Sequence, residues 1–464
     1  MAENFISKSI FREYDIRGIV DETLFQNCAY LIGKGFCYLN KKKRVVSIAV
    51  CRDGRLSSPK ISEALIKGIL ESGVNVIDIG CGPTPMLYFA SFLLNCDAGI
   101  MVTGSHNPKN HNGFKMTLNN NSYYGENIQK LYKYILNNNF IEGKGILTKK
   151  NVKKEYEKCL LERSGPFPDI KVIWDCGNGA TGEIISSIVK NLPGIHKVLF
   201  EEIDGNFPNH HPDPSVEKNL TALKEKMMIE KADLGISFDG DGDRIGILSK
   251  DKFLVPGDLI TAFLSGSILK KNPNQTIVLD IKSSNLAIKS IKDQDGKAVI
   301  WKTGHSLIKE KIKEINAPLA GEMSGHIFFN DNWFGFDDAI YSALRCLQEI
   351  KSNKGGLSSF LKTLPISFSS PEIRIECEEK NKFKIVETVK KIASSCYDSS
   401  KLLLIDGLRV TNEKGWWLLR ASNTQAALIV RAEGSSNVNL RALITEVKKY
   451  LIEAGLDVNL DIYF

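Results

Sequence analysis

Short apolar runs separated by polar loops and helical stretches recur along the chain, and one order of them appears three times. The first set of runs lies at 45–50, 74–79 and 98–102, the second at 171–174, 197–201 and 232–238, the third at 276–281, 298–301 and 317–320. In each set a helix follows the first run, and the third run ends in a loop dense in glycine and charge. Strands alternating with helices at this pitch predict βαβ units with a parallel or mixed sheet covered on both faces. The first intervening helix carries clear signals: Ser58 able to cap, Pro59 in the first turn, and Ile61, Leu65 and Ile69 on one face. The three sets share architecture more than letters, which predicts three repeated domains of one fold. In open α/β sheets ligands bind at the carboxyl ends of strands, so the loops at 103–108, 239–244 and 321–326 can converge on one cleft.

After about residue 365 the pattern changes. The stretch 371–377 alternates like a half-exposed strand, and Ile385, Val389 and Ile392 mark a helix. Strands are predicted at 401–405, 408–411, 416–419 and 427–430, and a final helix carries Leu440, Leu443, Ile444, Val447 and Leu451 on one stripe. This reads as a smaller α+β domain with a largely antiparallel sheet and helices on one face. Polar stretches at 136–145 and 250–253 separate the earlier units. The expected domains are therefore 1–148, 149–252, 253–364 and 365–464.

A length of 464 residues fits several domains, and 43% hydrophobic with 25% charged residues is ordinary for a globular protein. No apolar run reaches the length of a membrane span, and the N-terminus lacks a basic region followed by an apolar core. Ten cysteines are scattered singly with no CxxC pair, which predicts reduced thiols in a cytoplasmic protein rather than a disulfide frame or a zinc site. The net charge of +7 is modest, and Lys41-Lys-Lys-Arg44 reads as a solvated strand approach, not a nucleic-acid patch. A mild positive balance suits small anionic substrates.

Four stretches carry the chemistry. In Thr103-Gly-Ser-His-Asn-Pro108 a strand breaks at a turn that displays Ser105 beside His106, a candidate nucleophile or a solvated turn serine. In Asp239-Gly-Asp-Gly-Asp-Arg244 three carboxylates alternate with glycines that allow tight curvature. Three like charges that close need a cation, and an all-oxygen set favours a hard ion such as Mg²⁺. A calcium-loop reading from Asp239 fails, because its sixth and twelfth places hold Arg244 and Lys250 rather than Gly and Glu. Gly321-Glu-Met-Ser-Gly-His326 offers an acceptor, a hydroxyl and an imidazole, which suit sugar hydroxyls. Arg420-Ala-Ser-Asn-Thr424 joins a guanidinium to hydroxyls and an amide, and Arg431 with Ser435, Ser436 and Asn437 follows at the start of the last helix. A cation with hydroxyls and free backbone N–H groups can hold a phosphate without a metal.

These four loops, in this order and spacing, resemble the active-site loops of the α-D-phosphohexomutase family, and Phe11-Arg-Glu-Tyr-Asp-Ile-Arg-Gly18 resembles its N-terminal signature. Gly321-Glu-Met-Ser-Gly-His-Ile-Phe-Phe329 with Trp333-Phe-Gly-Phe-Asp-Asp338 is most similar to the bacterial phosphomannomutase/phosphoglucomutase branch. The resemblance implies an α/β protein of four-domain phosphohexomutase architecture around one central cleft. It implies interconversion of hexose 1-phosphate and hexose 6-phosphate, mannose or glucose, through a phosphoserine enzyme and a hexose 1,6-bisphosphate. Ser105 would carry the phosphoryl group, and Asp239, Asp241 and Asp243 with that phosphate would hold one Mg²⁺. Arg244 would sit beside the phosphate, with His106, Lys115 and His305 as proton-transfer candidates. Glu322, Ser324 and His326 would meet the sugar, Arg420, Ser422, Asn423 and Thr424 would clamp the non-reacting phosphate, and Tyr14, Arg17 and Lys282 would support. Glucose 1,6-bisphosphate would act as activator, and a monomer with no nucleic-acid or membrane partner is expected. A phosphatase using the same loops, or an inactive sugar-phosphate binder, are the alternative classes.

Overall fold

The computed structural model describes residues 6–137, 139–353, 355–422 and 426–460. In the first unit Ser47–Arg52 is the central strand, with Asn75–Cys81 and Ala98–Val102 parallel on either side. Ile170–Asp175 stands in the same way between Gly194–Leu199 and Leu234–Phe238, and Thr276–Asp280 between Lys297–Trp301 and Leu319–Gly321. Ala98–Val102 and Leu234–Phe238 are buried at every residue, as strands covered on both faces must be.

A fourth strand then returns antiparallel beside the third: His111–Leu118, Ile245–Leu248 and Ile327–Phe329. These three sheets are therefore mixed, and the returning strands are an addition to the sequence expectation. Two of them are only three and four residues long, too short for a period to show. The consequence for function is direct. The three glycine-rich loops are equivalent turns between a buried parallel strand and its antiparallel return.

The helix Ser58–Leu70 buries Ile61, Leu65 and Ile69 and has proline in its first turn, as expected, but Ser58 does not cap it. Ser57 holds the cap position, and the Ser58 hydroxyl donates to Asp53 Oδ1 at 2.5 Å. The helix Thr84–Leu93 is apolar on nearly all sides, and the reason is its location. It lies in a continuous core where Met86, Leu87 and Phe89 meet Tyr156 and Trp174 of the second unit and Trp333 and Tyr341 of the third. The first three units thus share one hydrophobic interior, and the first has a further core of its own on the other face of its sheet.

The last unit has a core of its own, closed by the helices Lys382–Cys396 and Asn437–Glu453 over an antiparallel sheet. Leu440, Leu443, Ile444, Val447 and Leu451 are buried on the final helix as expected. On Lys382–Cys396 the deepest apolar positions are Val386, Val389 and Ala393, so the stripe is turned by one residue from the expected one. Of the stretch 401–405 only Leu402–Leu403 pairs as strand. The opposite face of this sheet meets the third unit through a small cluster of Ile281, Trp416 and Leu418. Arg409 lies 3.8 Å from the Trp416 ring centre and donates to the carbonyls of Ile281 and Ser283 and to Asn285 Oδ1.

The ten cysteines form no disulfide, and Lys41–Lys43 is an exposed turn. Among the described residues no helix is long and apolar enough to cross a membrane.

Because Arg409 ties a separately cored unit to the rest, Arg409→Met should cost about 2–4 kcal/mol at that interface, from carbonyls left unpaired. Differential scanning calorimetry should then show the last unit melting in its own earlier transition. A single transition at the wild-type temperature would show that Arg409 does not hold it.

Candidate active site

All four units open onto one cleft of about 770 Å³, lined among others by Ser105, Arg244, Glu322 and Arg420, one from each. The other expected residues on its wall are His106 and Lys115, Tyr14 and Arg17, Lys282 and His305, and Ser324, His326 and Ser422. Asp239, Asp241 and Asp243 lie just beneath it, fully buried. Asn423 and Thr424 lie outside the described residues.

Ser105 adopts a left-handed backbone at φ +48°, which costs a non-glycine residue about 1 kcal/mol and needs support. Its own N–H donates to Thr103 Oγ1 at 2.8 Å, while Thr103 Oγ1 and the Gly104 N–H donate to Asp53 Oδ2 at 2.8 and 2.9 Å. Arg55 reaches under the loop and donates to four carbonyls, those of Ser105, Asn107, Pro108 and His111. Arg17 adds a bond to the Thr103 carbonyl at 2.8 Å. So fixed, the Ser105 hydroxyl donates to Asp239 Oδ2 at 2.8 Å and lies 3.1 Å from His106 Nδ1.

The second loop comes so close to the first that a Cβ at Gly240 would meet the Ser105 carbonyl at 2.6 Å. Gly242, at φ +71°, makes the bend that turns its flanking aspartates the same way. The three carboxylates bring ligand oxygens within 4.8 Å of one another. Burial and the neighbouring charges of Asp241 and Asp243 push the Asp239 carboxyl well above the usual range. Burial would raise Asp241 too, but the Lys115 ammonium and the Thr84 hydroxyl outweigh it and hold that carboxyl low. Lys115 Nζ donates to both Asp241 and Asp243. Burial opposes its charge, yet those carboxylates win and raise its pKa. Even so, Asp241 Oδ1 and Asp243 Oδ1 are buried without a hydrogen-bond partner. Unpaired carboxylate oxygens facing a shared space, one hydroxyl away from the cleft, fit a hard divalent cation.

In the third loop Glu322 is buried and its Oε1 accepts from the Gly304 N–H at 2.5 Å. Burial pushes its pKa up. Gly304, at φ +131°, lies against the Tyr14 ring, and Tyr14 Oη donates to the Thr303 carbonyl at 2.8 Å. Burial and the Lys309 charge hold His305 well below the ordinary imidazole range. Burial, Arg244 and Arg17 do the same to His106. Both rings are therefore held uncharged, and burial with the neighbouring cations opposes their taking up a proton. Arg244 Nε donates to His326 Nε2 at 2.9 Å. At the far end Arg420 is paired with Asp406 at 3.1 Å, and Lys282 lies 3.4 Å from Glu372.

The sequence reading missed Asp53, Arg55, Thr84, Asp337 and Asp406. Asp53 and Arg55 had a signal, since Arg52-Asp-Gly-Arg55 is a polar break at the end of a buried strand. Asp337 had a weaker one in Phe336-Asp-Asp338, whose second aspartate caps the helix Ala339–Ser352. Thr84, whose hydroxyl donates to Asp241 Oδ2, and Asp406, whose Oδ2 accepts from the Thr303 N–H at 3.1 Å, act across units, which no local pattern reveals.

Four family models match the chain. They are described as phosphoglucomutase/phosphomannomutase alpha/beta/alpha domain I over residues 8–142, domain II over 151–252, domain III over 256–368, and the C-terminal domain over 372–449. The chain is 42% identical over 435 residues to a phosphomannomutase/phosphoglucomutase of Pseudomonas syringae pv. tomato, covering 94% of this chain and 93% of that one. It is 39% identical over 446 residues to a phosphoglucomutase of Neisseria meningitidis, covering 96% of each. A crystal structure of a phosphoglucomutase/phosphomannomutase family protein from Burkholderia thailandensis superposes with a TM-score of 0.91 at 37% identity, over 98% of this chain and 99% of that one.

Since Arg55 satisfies four carbonyls at once, Arg55→Met should destabilise the protein by about 3–5 kcal/mol, the range for breaking a buried charged network. Thermal unfolding measures this. A loss under about 1 kcal/mol, the median for an exposed pair, would show that the loop keeps its shape without the guanidinium.

Proposed function

The chain belongs to the phosphoglucomutase/phosphomannomutase family, and from that premise we propose that it interconverts the 1- and 6-phosphates of glucose, mannose or both by way of phospho-Ser105. The observation that supports this most is the shared cleft. A supported serine over a cage of carboxylates faces the same space as a guanidinium from a separately cored unit.

Asp239, Asp241 and Asp243, with the phosphate on Ser105, are the residues that would hold Mg²⁺. When bound, the ion neutralises charge on the phosphoryl oxygens. Arg244 supplies a second fixed positive charge beside Ser105, and burial in a cleft makes such preorganised charge effective. A hydroxyl of the hexose must lose a proton as its oxygen attacks phosphorus. His106 and His305 are the imidazoles within the cleft that would take it, once the negative charge of a bound phosphoryl group offsets the burial and cations that oppose their protonation, while Lys115 is held as an ammonium and stabilises charge. The phosphoryl group passes from Ser105 Oγ to the sugar oxygen, the bisphosphate turns around, and Ser105 Oγ then attacks the other phosphate. Glu322 and Ser324 meet sugar hydroxyls in either orientation. Arg420 and Ser422, with Asn423 and Thr424, hold the phosphate that is not reacting. Glucose 1,6-bisphosphate primes Ser105 when it is unphosphorylated. The last unit shifts to admit the turn, an arrangement its own core favours.

A monomer that binds no nucleic acid suits a site completed within one chain. Ten unpaired cysteines suit the cytoplasm.

A coupled assay on glucose 1-phosphate, mannose 1-phosphate and glucosamine 1-phosphate, with glucose 1,6-bisphosphate present, tests the reading. Turnover of the glucose or the mannose phosphate, or of both, with almost no free phosphate released is the expected result; net phosphate release or a preference for the amino sugar contradicts it. Ser105→Ala should lose at least about 10³-fold in kcat, the scale of removing a nucleophile. Chelation with EDTA should abolish turnover and added Mg²⁺ restore it. Full activity after chelation would mean that the aspartate cage holds no needed ion.

A further inference from the structure

Behind Arg244 lies a chain of contacts that the phosphoryl-transfer reading leaves unused. Arg244 Nε–H can only donate, so His326 Nε2, 2.9 Å away, must be an acceptor. The proton of that neutral imidazole is then on Nδ1. His326 Nδ1 faces two buried carboxylates: Asp337 Oδ2 at 3.0 Å and Asp243 Oδ1 at 3.7 Å. Among the described residues neither His326 Nδ1 nor Asp337 Oδ2 makes a well-directed hydrogen bond, to each other or to any other group, so their 3.0 Å approach is a charge contact between two otherwise unmatched buried atoms. The other oxygen, Asp337 Oδ1, accepts from Lys309 Nζ at 2.9 Å, and the His305 ring stacks on His326 at 5.6 Å with its Nδ1 3.7 Å from Asp337 Oδ2.

The backbone sets all of this in place. His326 immediately precedes the strand Ile327–Phe329, and Asp337 bridges to Phe328 of that strand. Asp338, the next residue, is pinned as the cap of the helix Ala339–Ser352. The Asp337 backbone is therefore fixed between strand and helix. Its carboxylate is fully buried, with Oδ1 met by Lys309 and Oδ2 approached by the His326 and His305 rings.

We propose that Asp337 is a positioning residue: its carboxylate keeps the His326 proton on Nδ1, which leaves Nε2 free to hold the Arg244 guanidinium in its orientation toward the phosphoryl group. The inference rests on the phosphoryl-transfer role given to Arg244 above.

Asparagine at 337 separates shape from chemistry. Its carbonyl must serve Lys309, which can only donate, so its amide NH₂ faces His326 Nδ1. The imidazole proton then moves to Nε2 and points at the Arg244 N–H, donor against donor. Removing the lysine as well lets the asparagine turn its carbonyl toward His326 and return the proton to Nδ1.

The test uses the Mg²⁺-loaded full chain with ¹⁵N-labelled histidine. In the wild type, the His326 ¹⁵N shifts should report a protonated Nδ1 and an acceptor Nε2. Asp337→Asn should reverse them and lower kcat by about 10²-fold with KM for hexose 1-phosphate changed no more than about twofold. Lys309→Met/Asp337→Asn should recover a substantial part of the lost kcat, whereas two merely structural lesions would compound. An Nε2-protonated His326 in the wild type overturns the proposal by itself, as does an Asp337→Asn enzyme within about threefold of wild-type kcat. Absence of mutase turnover in the wild type would instead defeat the functional reading, and the ¹⁵N spectrum would still decide the tautomer.

Discussion

Three aspartates in one buried loop repel one another, and much of the site answers the demand they make for positive charge. Lys115 enters from the first unit and bonds two of them, yet two carboxylate oxygens remain unmatched and the Asp239 carboxyl is pushed upward. A cluster in that condition is costly as an ornament and sensible as a cation cage. It also explains why the loop of the second unit is pressed against the loop of the first. The Thr84 N–H donates to the Asp241 carbonyl at 2.7 Å, and Ser105 Oγ rests on Asp239. The serine is therefore placed where charge on a transferring phosphoryl group would be neutralised.

The same division of labour shows in the cores. The first three units share one interior, so the serine, the carboxylates and the Glu322 loop are held in a fixed relation. The last unit has its own core and meets the third through a small apolar patch, the Arg409 clasp and further polar contacts, among them Lys282 with Glu372, the Asn285 N–H with Glu433 Oε1 and the Thr303 N–H with Asp406 Oδ2. For the proposed reaction, in which the substrate binds in two orientations, a rigid serine and carboxylate end opposite a separately cored arginine-bearing end is the arrangement required. Neither arrangement alone would let one serine serve both ends of a sugar.

Much of this was legible in the residues. The buried runs, the change of pattern near residue 365 and the four polar loops all carried local signals, because a strand covered on both faces has to be apolar and its terminal loop has to bend. Other features were hidden for physical reasons. The returning strands Ile245–Leu248 and Ile327–Phe329 are too short to show a period. Ser58 looked like a cap, but a nearby carboxylate made a stronger claim on its hydroxyl. Arg55 acts through carbonyls 50 to 56 residues on, and Lys115 finds its carboxylates 126 and 128 residues on. Long-range pairing of buried charge leaves no periodic trace.

The central claim is that Ser105 gives its phosphoryl group to a sugar and takes it back. The most direct measurement is to load the Mg²⁺-bound protein with glucose 1,6-bisphosphate labelled in both phosphates, map the label by peptide mass spectrometry, and chase it with unlabelled glucose 6-phosphate. The expected result is label on Ser105 alone, released by the chase into hexose bisphosphate and not into water. Label elsewhere, no label, or label lost only as inorganic phosphate would contradict the claim.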